Sequence, residues 1–187
     1  MTRQGTFAML QDSPQVYGSA TRFLHWVVAA LVIVQLSSVF LHEVWDGNAF
    51  SQMILPWHTS IGVSVLALMA IRTLWALSQL GHRPVHDGSL QRMAVWAHVL
   101  MYALLIMMPL SGVLMTWGSG YGVHAFGSVL IPGADVPWAA ALGMVHEPIA
   151  WLITLMILGH VAMAMHHHFG RRDDTLKRMV GRPADPQ

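Results

Sequence analysis

GMVHEPIAWLITLMILGHVAMAMHHHFG, residues 143–170, is long enough to cross a bilayer and yet carries five histidines. A bilayer span needs roughly 20 mostly apolar residues. Between His146 and His168 the only acid is Glu147, and there is no Lys or Arg. A buried imidazole in lipid is expensive unless something satisfies it, so His146 and His160 each require a partner. Fourteen residues separate the two. At about 3.6 residues per turn that is just under four turns, so both rings share one helix face, roughly 21 Å apart along the axis.

Composition extends the membrane reading to the whole chain. Of its 187 residues 55% are hydrophobic and 10% charged, against about 25% charged in a soluble domain. Four stretches are long and apolar enough to span, at about 20–41, 55–77, 92–116 and 144–168. Little remains for a soluble domain. The expectation is therefore an all-α transmembrane four-helix bundle forming a single membrane domain, 1–187, with a tail at 169–187. The chain has no cysteine, which excludes disulfides, iron–sulfur clusters and the covalent haem motif C-x-x-C-H. A formal net charge of +1 gives no support to nucleic-acid binding. The first twenty residues are polar and do not read as a cleavable signal peptide.

Local signals mark the span ends. Ser19 or Thr21 is placed to cap the first span, and Pro56 suits the first turn of the second. Pro109 falls inside the third and is expected to kink it. Pro148 suits the first turn of the fourth. Trp26, Trp45, Trp57, Trp96, Trp117 and Trp138 fall near the predicted ends, as an aromatic belt does.

The connections fix orientation. Residues 42–54 carry Glu43 and Asp46 but no Lys or Arg, and the long Gly/Pro-rich stretch 117–143 also has neither. The 78–91 connection contains Arg83, and the tail RRDDTLKRMVGRPADPQ has five basic residues. By the positive-inside rule both termini are cytoplasmic.

Topology then gives each histidine a depth. His58 and His146 open their spans on the outer side. His25 and His160 lie a turn or two from the inner side. The four form two layers, each with two imidazoles from different helices. Such a pair suits the two axial positions of a haem held in a bundle interior, and coordination satisfies the buried nitrogen. Zinc fits less well, because a structural site wants four close ligands. A di-iron carboxylate centre needs several inward Glu residues, and the spans offer only Glu147. Gly62, Gly112 and Gly159 are small enough to let a porphyrin or a neighbouring helix come close.

The motifs TRFLHW, WHTSIGVSVLALMAIR, AHVLMYALLIMMPLSGVLM, VHEPIA, LGHVAMAMHHHF and DDTLKRM stand in order between residues 21 and 179. In order and spacing the chain resembles the bacterial cytochrome b561 family over about residues 15–182. The resemblance implies a quinone-linked electron-transfer protein of the bacterial inner membrane with two non-covalent haems b. It implies that His25 pairs with His160 on one iron and His58 with His146 on the other, in agreement with the depths. Relatives of this kind include superoxide:ubiquinone oxidoreductases and membrane subunits of dehydrogenases. The expected partners are therefore lipid, ubiquinone and a periplasmic donor or dehydrogenase.

Other residues carry open readings. His98 lies near the depth of the inner pair. It is a competing ligand to His25, or a partner for a haem propionate, a quinone carbonyl or another helix. Tyr102, one turn on, completes a polar corner fit for a quinone head group. Arg72 is expected to meet a propionate or to snorkel to the surface. Arg22 and Arg92 face the same choice, with snorkelling favoured. His166, His167 and His168 point about 100° apart on a helix and so do not share one site. His42 and His124 read as outer-surface groups, and His82 and His86 as incidental. The outer side bears Glu43, Asp46, Asp135 and Glu147 without a Lys or Arg. That does not favour superoxide, since an anion is steered by positive potential.

Overall fold

The computed structural model describes residues 10–14, 16–45, 47–82 and 89–181. Asp46, Arg83 and His86, singled out above, lie outside them. In chain order the helices are α1 (Ser19–Val44), α2 (Ala49–Ile54), α3 (His58–Ser78), α4 (Ser89–Gly118), α5 (Pro137–Ala140), α6 (Gly143–Met165) and α7 (Thr175–Val180). A 3₁₀ turn, Leu55–Trp57, joins α2 to α3, and a π-helical segment, His166–Arg171, prolongs α6. Four segments are long and apolar enough to cross a bilayer: Ser19–Val44, Ala49–Ser78, Arg92–Gly118 and Pro137–Arg171. The molecule is a multi-pass, mostly helical membrane protein.

Details at the helix ends depart from the sequence reading. Gly18 is the N-cap of α1, and no side chain caps it. Thr21 instead accepts a hydrogen bond from Trp75 Nε1 at 2.9 Å, tying α1 to α3. Pro148 lies inside α6, not in its first turn, because the helix already begins at Gly143. α4 runs on through Pro109.

The four membrane-spanning segments are apolar around most of their circumference, as expected where lipid replaces water. Phe23, Ile33, Leu74 and Leu155 are exposed on the bundle surface, while Gln35, Ser38, Ser60 and Ser111 are buried. The core is Val28, Val32, Val65, Met69, Leu104, Leu105 and Ile153. Along each span these residues lie between the two histidine levels, so an apolar layer separates them. α1 packs on α3, α3 on α4 and α4 on α6. Among the described residues the backbone of α6 does not pack closely on α1 or α3.

Four crossings return both ends of the chain to one side. There Asp12 N–H donates to Gln79 Oε1 at 3.1 Å, and Trp26 Nε1 donates to the Met179 carbonyl at 3.3 Å. On the opposite side, β1 (Val123–Ala125) and β2 (Ser128–Ile131) form a small antiparallel hairpin. Its turn residues Phe126 and Gly127 both have positive φ, the geometry that matches strand twist in tight hairpins. Phe126 N–H donates to Ser60 Oγ at 2.9 Å, seating the hairpin over the start of α3.

Candidate functional site

Helix α6 presents His146 near the hairpin side and His160 near the termini side. His58, the first residue of α3, faces His146 with ring centres 6.2 Å apart and planes inclined by 58°. His25 on α1 faces His160 at 6.3 Å and 61°. Each pair thus joins α6 to a helix that its backbone does not closely approach.

These separations test the fit of a haem. Two metal–imidazole bonds of about 2 Å, plus roughly 1 Å from each ring nitrogen to its centre, span about 6 Å. Both pairs meet that distance. Among the described residues no three His, Asp or Glu side chains gather closely enough to hold a metal ion. A pair suits a metal whose remaining donors come from a macrocycle.

The hairpin-side pair is also set up chemically. Ser111 Oγ donates its single hydrogen to the Met108 carbonyl at 2.7 Å. It can therefore only accept from His146 Nδ1, 3.0 Å away. The imidazole then carries its proton on Nδ1 and leaves the Nε2 lone pair for a metal, the usual tautomer of a ligating histidine whose other ring nitrogen donates to a neighbour. A cavity beside this pair is lined in part by Gln35, Gly62, Gly112 and Ile153. Gln35 is 6% exposed; its Nε2 donates to the His58 carbonyl at 3.0 Å, and its buried Oε1 has no partner among the described residues. Gly112 lets the His146 ring approach, since a Cβ there would lie 2.9 Å from His146 Cε1. Gly112→Ala is expected to push the ring off its line with His58 at a cost of about 1–3 kcal/mol. Were the pair to hold a haem, as the resemblance implies, haem content would fall at this site alone, which a spectrum of the purified variant checks. Gly62 and Gly159 differ from Gly112, since among the described residues nothing lies within 4 Å of a Cβ built at either.

The termini-side layer is more crowded. Arg72 Nη2 lies 2.9 Å from His25 Nδ1, and its Cζ sits 4.9 Å from the centre of the Tyr102 ring. A guanidinium only donates, so His25 accepts at Nδ1 and carries its proton on Nε2. Ligation by His25 Nε2 then requires Arg72 to release Nδ1. The His98 ring centre is 5.3 Å from that of His160, and His98 Nδ1 donates to the Ala94 carbonyl at 2.6 Å. That leaves Nε2 of His98 with a lone pair. His25, Arg72, His98, Tyr102 and His160 form one polar cluster, in which Arg72 has found an imidazole partner.

The remaining histidines stand apart. His42, His82, His124 and His166 are exposed. His167 Nδ1 binds Asp173 Oδ2 at 2.5 Å. Burial alone would raise the Asp173 carboxyl, but hydrogen bonds from His167 and Thr175 outweigh it and hold its pKa at about 2.

Sequence reading missed Ser111 and Gln35. Ser111 lies at the depth of His146 in the antiparallel neighbour, beside Gly112, and that match was the available signal. Gln35 is an amide in the outer half of a span, where an unexplained polar side chain points inward.

The family model described as prokaryotic cytochrome b561 matches residues 16–182. The chain is 31% identical over 183 residues to cytochrome b561 homolog 2 of Escherichia coli, covering 91% of this chain and 94% of that protein. It is 30% identical over 162 residues to the probable superoxide oxidase CybB of Yersinia pestis, covering 84% and 91%. Cytochrome b561 homolog 1 of Escherichia coli is 23% identical over 175 residues, covering 86% and 94%.

Proposed function

The chain belongs to the prokaryotic cytochrome b561 family, a membrane electron-transfer protein with b-type haem, and on that premise we propose that it carries two haems b and passes electrons to ubiquinone. The observation that carries this reading is the pair of imidazole pairs, 6.2 and 6.3 Å between ring centres, on opposite sides of an apolar layer. His58 and His146 would hold one haem, and His25 and His160 the other. Haem b supplies reversible one-electron redox chemistry when bound. Held by two imidazoles, each haem would serve as an electron carrier and not as a substrate-binding centre.

The protein's own groups do the rest. Ser111 and Gln35 orient the hairpin-side pair. On the termini side, Tyr102 and His98 offer a hydroxyl and an imidazole that can hydrogen-bond quinone oxygens and relay protons. Arg72 counters negative charge that builds there. All the Lys and Arg residues fall on the termini side of the topology, which supports cytoplasmic ends in a bacterial inner membrane.

Superoxide is the donor that the name of the Yersinia pestis relative supports. In that reaction two superoxide ions each give up one electron and leave as dioxygen. One ubiquinone takes the two electrons and two protons and becomes ubiquinol. Glu43, Asp135 and Glu147 lie exposed on the donor side, which has no Lys or Arg. Superoxide would therefore arrive against a repulsive field, and its rate should rise with ionic strength as that field is screened. Stopped-flow mixing with superoxide, read on the haem bands and followed by a soluble ubiquinone analogue, tests this. Reduction by superoxide and reoxidation by quinone is the expected result. A protein that superoxide leaves oxidised would contradict it.

One feature favours a second reading, a membrane subunit docked to a partner dehydrogenase. Val129, Leu130 and Ile131 of β2 are all exposed, beside Tyr121. Failure with superoxide, together with reduction by a stoichiometric co-purifying dehydrogenase, would select that reading.

A further inference from the structure

A groove of about 490 Å³ lies between α1 and α7, lined by Arg22, Phe23, Trp26, Val27, Ala30 and Met179. It belongs to neither imidazole layer. The hydrogen bond from Trp26 to the Met179 carbonyl holds its two walls together. Gly181 lies against Arg22, and a Cβ there would collide with the guanidinium.

Arg22 stands in the first turn of α1, at the membrane boundary. Among the described residues its buried Nε meets no hydrogen-bond acceptor, and the same holds for Arg178 Nε in α7. A guanidinium has five N–H donors and no acceptor, so an anion is the partner that satisfies it. From Arg22 the residues Phe23, Val27 and Ala30 follow at i, i+4 and i+7, one apolar stripe on one face. The stripe runs roughly 12 Å from Arg22 toward the bilayer middle. It faces outward, since Phe23 is 67% and Trp26 47% exposed. A haem propionate would have to come from inside the bundle, and a quinone head has no charge for Arg22 to meet. Charge at this end is mostly positive, with Arg171, Arg172, Lys177 and Arg178 around Asp173 and Asp174.

We propose that this groove binds one anionic phospholipid, its phosphate on Arg22 and an acyl chain along Phe23, Val27 and Ala30. The lipid fills the angle between the first span and the C-terminal helix and fixes α7 against the bundle.

Native mass spectrometry of the haem-loaded protein in detergent, titrated with phosphatidylglycerol, tests the site. The unaltered protein should hold one lipid. Arg22→Gln should raise half-saturation about fivefold. Arg92→Gln, an exposed arginine on α4 at the same end, should leave it unchanged. Ala30→Trp, which fills the stripe and keeps Arg22, should also expel the lipid, so the site stays testable if Arg22→Gln misfolds. The haem spectrum reports folding in each case. Phosphatidylcholine should bind more weakly, and inorganic phosphate should not compete at matched concentration. Unchanged binding in both groove variants would overturn the proposal, as would an equal loss in Arg92→Gln. Equal affinity for phosphatidylcholine, or displacement by inorganic phosphate, would do the same. So would an Arg22→Gln protein that loses haem and keeps its lipid.

Discussion

Replacing His146 by alanine is expected to yield a protein with one haem per chain in place of the two proposed for the parent. The nitrogen lost is the one that Ser111 has prepared, with Nδ1 bonded at 3.0 Å and Nε2 left as the donor. The groups named around that cavity supply no second imidazole besides His58. Loss of a group that merely hydrogen-bonds a metal-ligating histidine lowers metal affinity about 10–100-fold, and loss of the ligand itself exceeds that. The other site should survive. It lies roughly 21 Å away along α6, beyond the distance at which substitutions usually couple. The Val28, Val65 and Ile153 layer stands between them. A haem count by pyridine haemochromogen with a reduced-minus-oxidised spectrum checks this. The surviving haem should keep its bands, while reduction by the donor should slow by at least about 100-fold. A His146→Ala protein with both haems would refute the pairing.

His160→Ala should produce the mirror result, with the termini-side haem lost and the hairpin-side haem kept. This substitution is decisive because His160 is common to both candidate pairings. Its ring centre is 6.3 Å from that of His25 and 5.3 Å from that of His98. His25→Ala separates the two. With His25 as the second ligand, the haem is lost or turns high-spin. If His98 were the ligand, His25→Ala would retain a low-spin haem and His98→Ala would lose it. Quinone reduction should fall at least about 100-fold in His160→Ala, measured as quinol formation after the donor is added. Unchanged quinol formation would place the quinone elsewhere.

Much of the architecture was legible because lipid imposes a simple rule. With no water to satisfy a free backbone, a chain of this hydropathy crosses as helices. Once the crossings are set, helix rise converts residue number into depth. His25 is thereby brought level with His160, and His58 with His146. Hydrogen-bond partners chosen across helices were not legible. Arg72, expected at a propionate or the surface, lies beside His25 and Tyr102, contacts that its sequence position does not announce. Sequence gives its depth, but the rotation of α3 about its axis decides which group it meets. Thr21 looked like a cap because capping is a local habit, yet Trp75, 54 residues away, takes its hydroxyl. The hairpin in 117–143 and the π-helical segment at His166–Arg171 are set by packing against helix ends, which periodicity does not record.

Electron paramagnetic resonance of the oxidised, purified protein at low temperature most directly tests two bis-imidazole irons in one chain. Low-spin ferric haem signals integrating to two spins per chain, with no high-spin signal, are the predicted result. One spin per chain, or a high-spin signal from an iron with an open axial position, would contradict it.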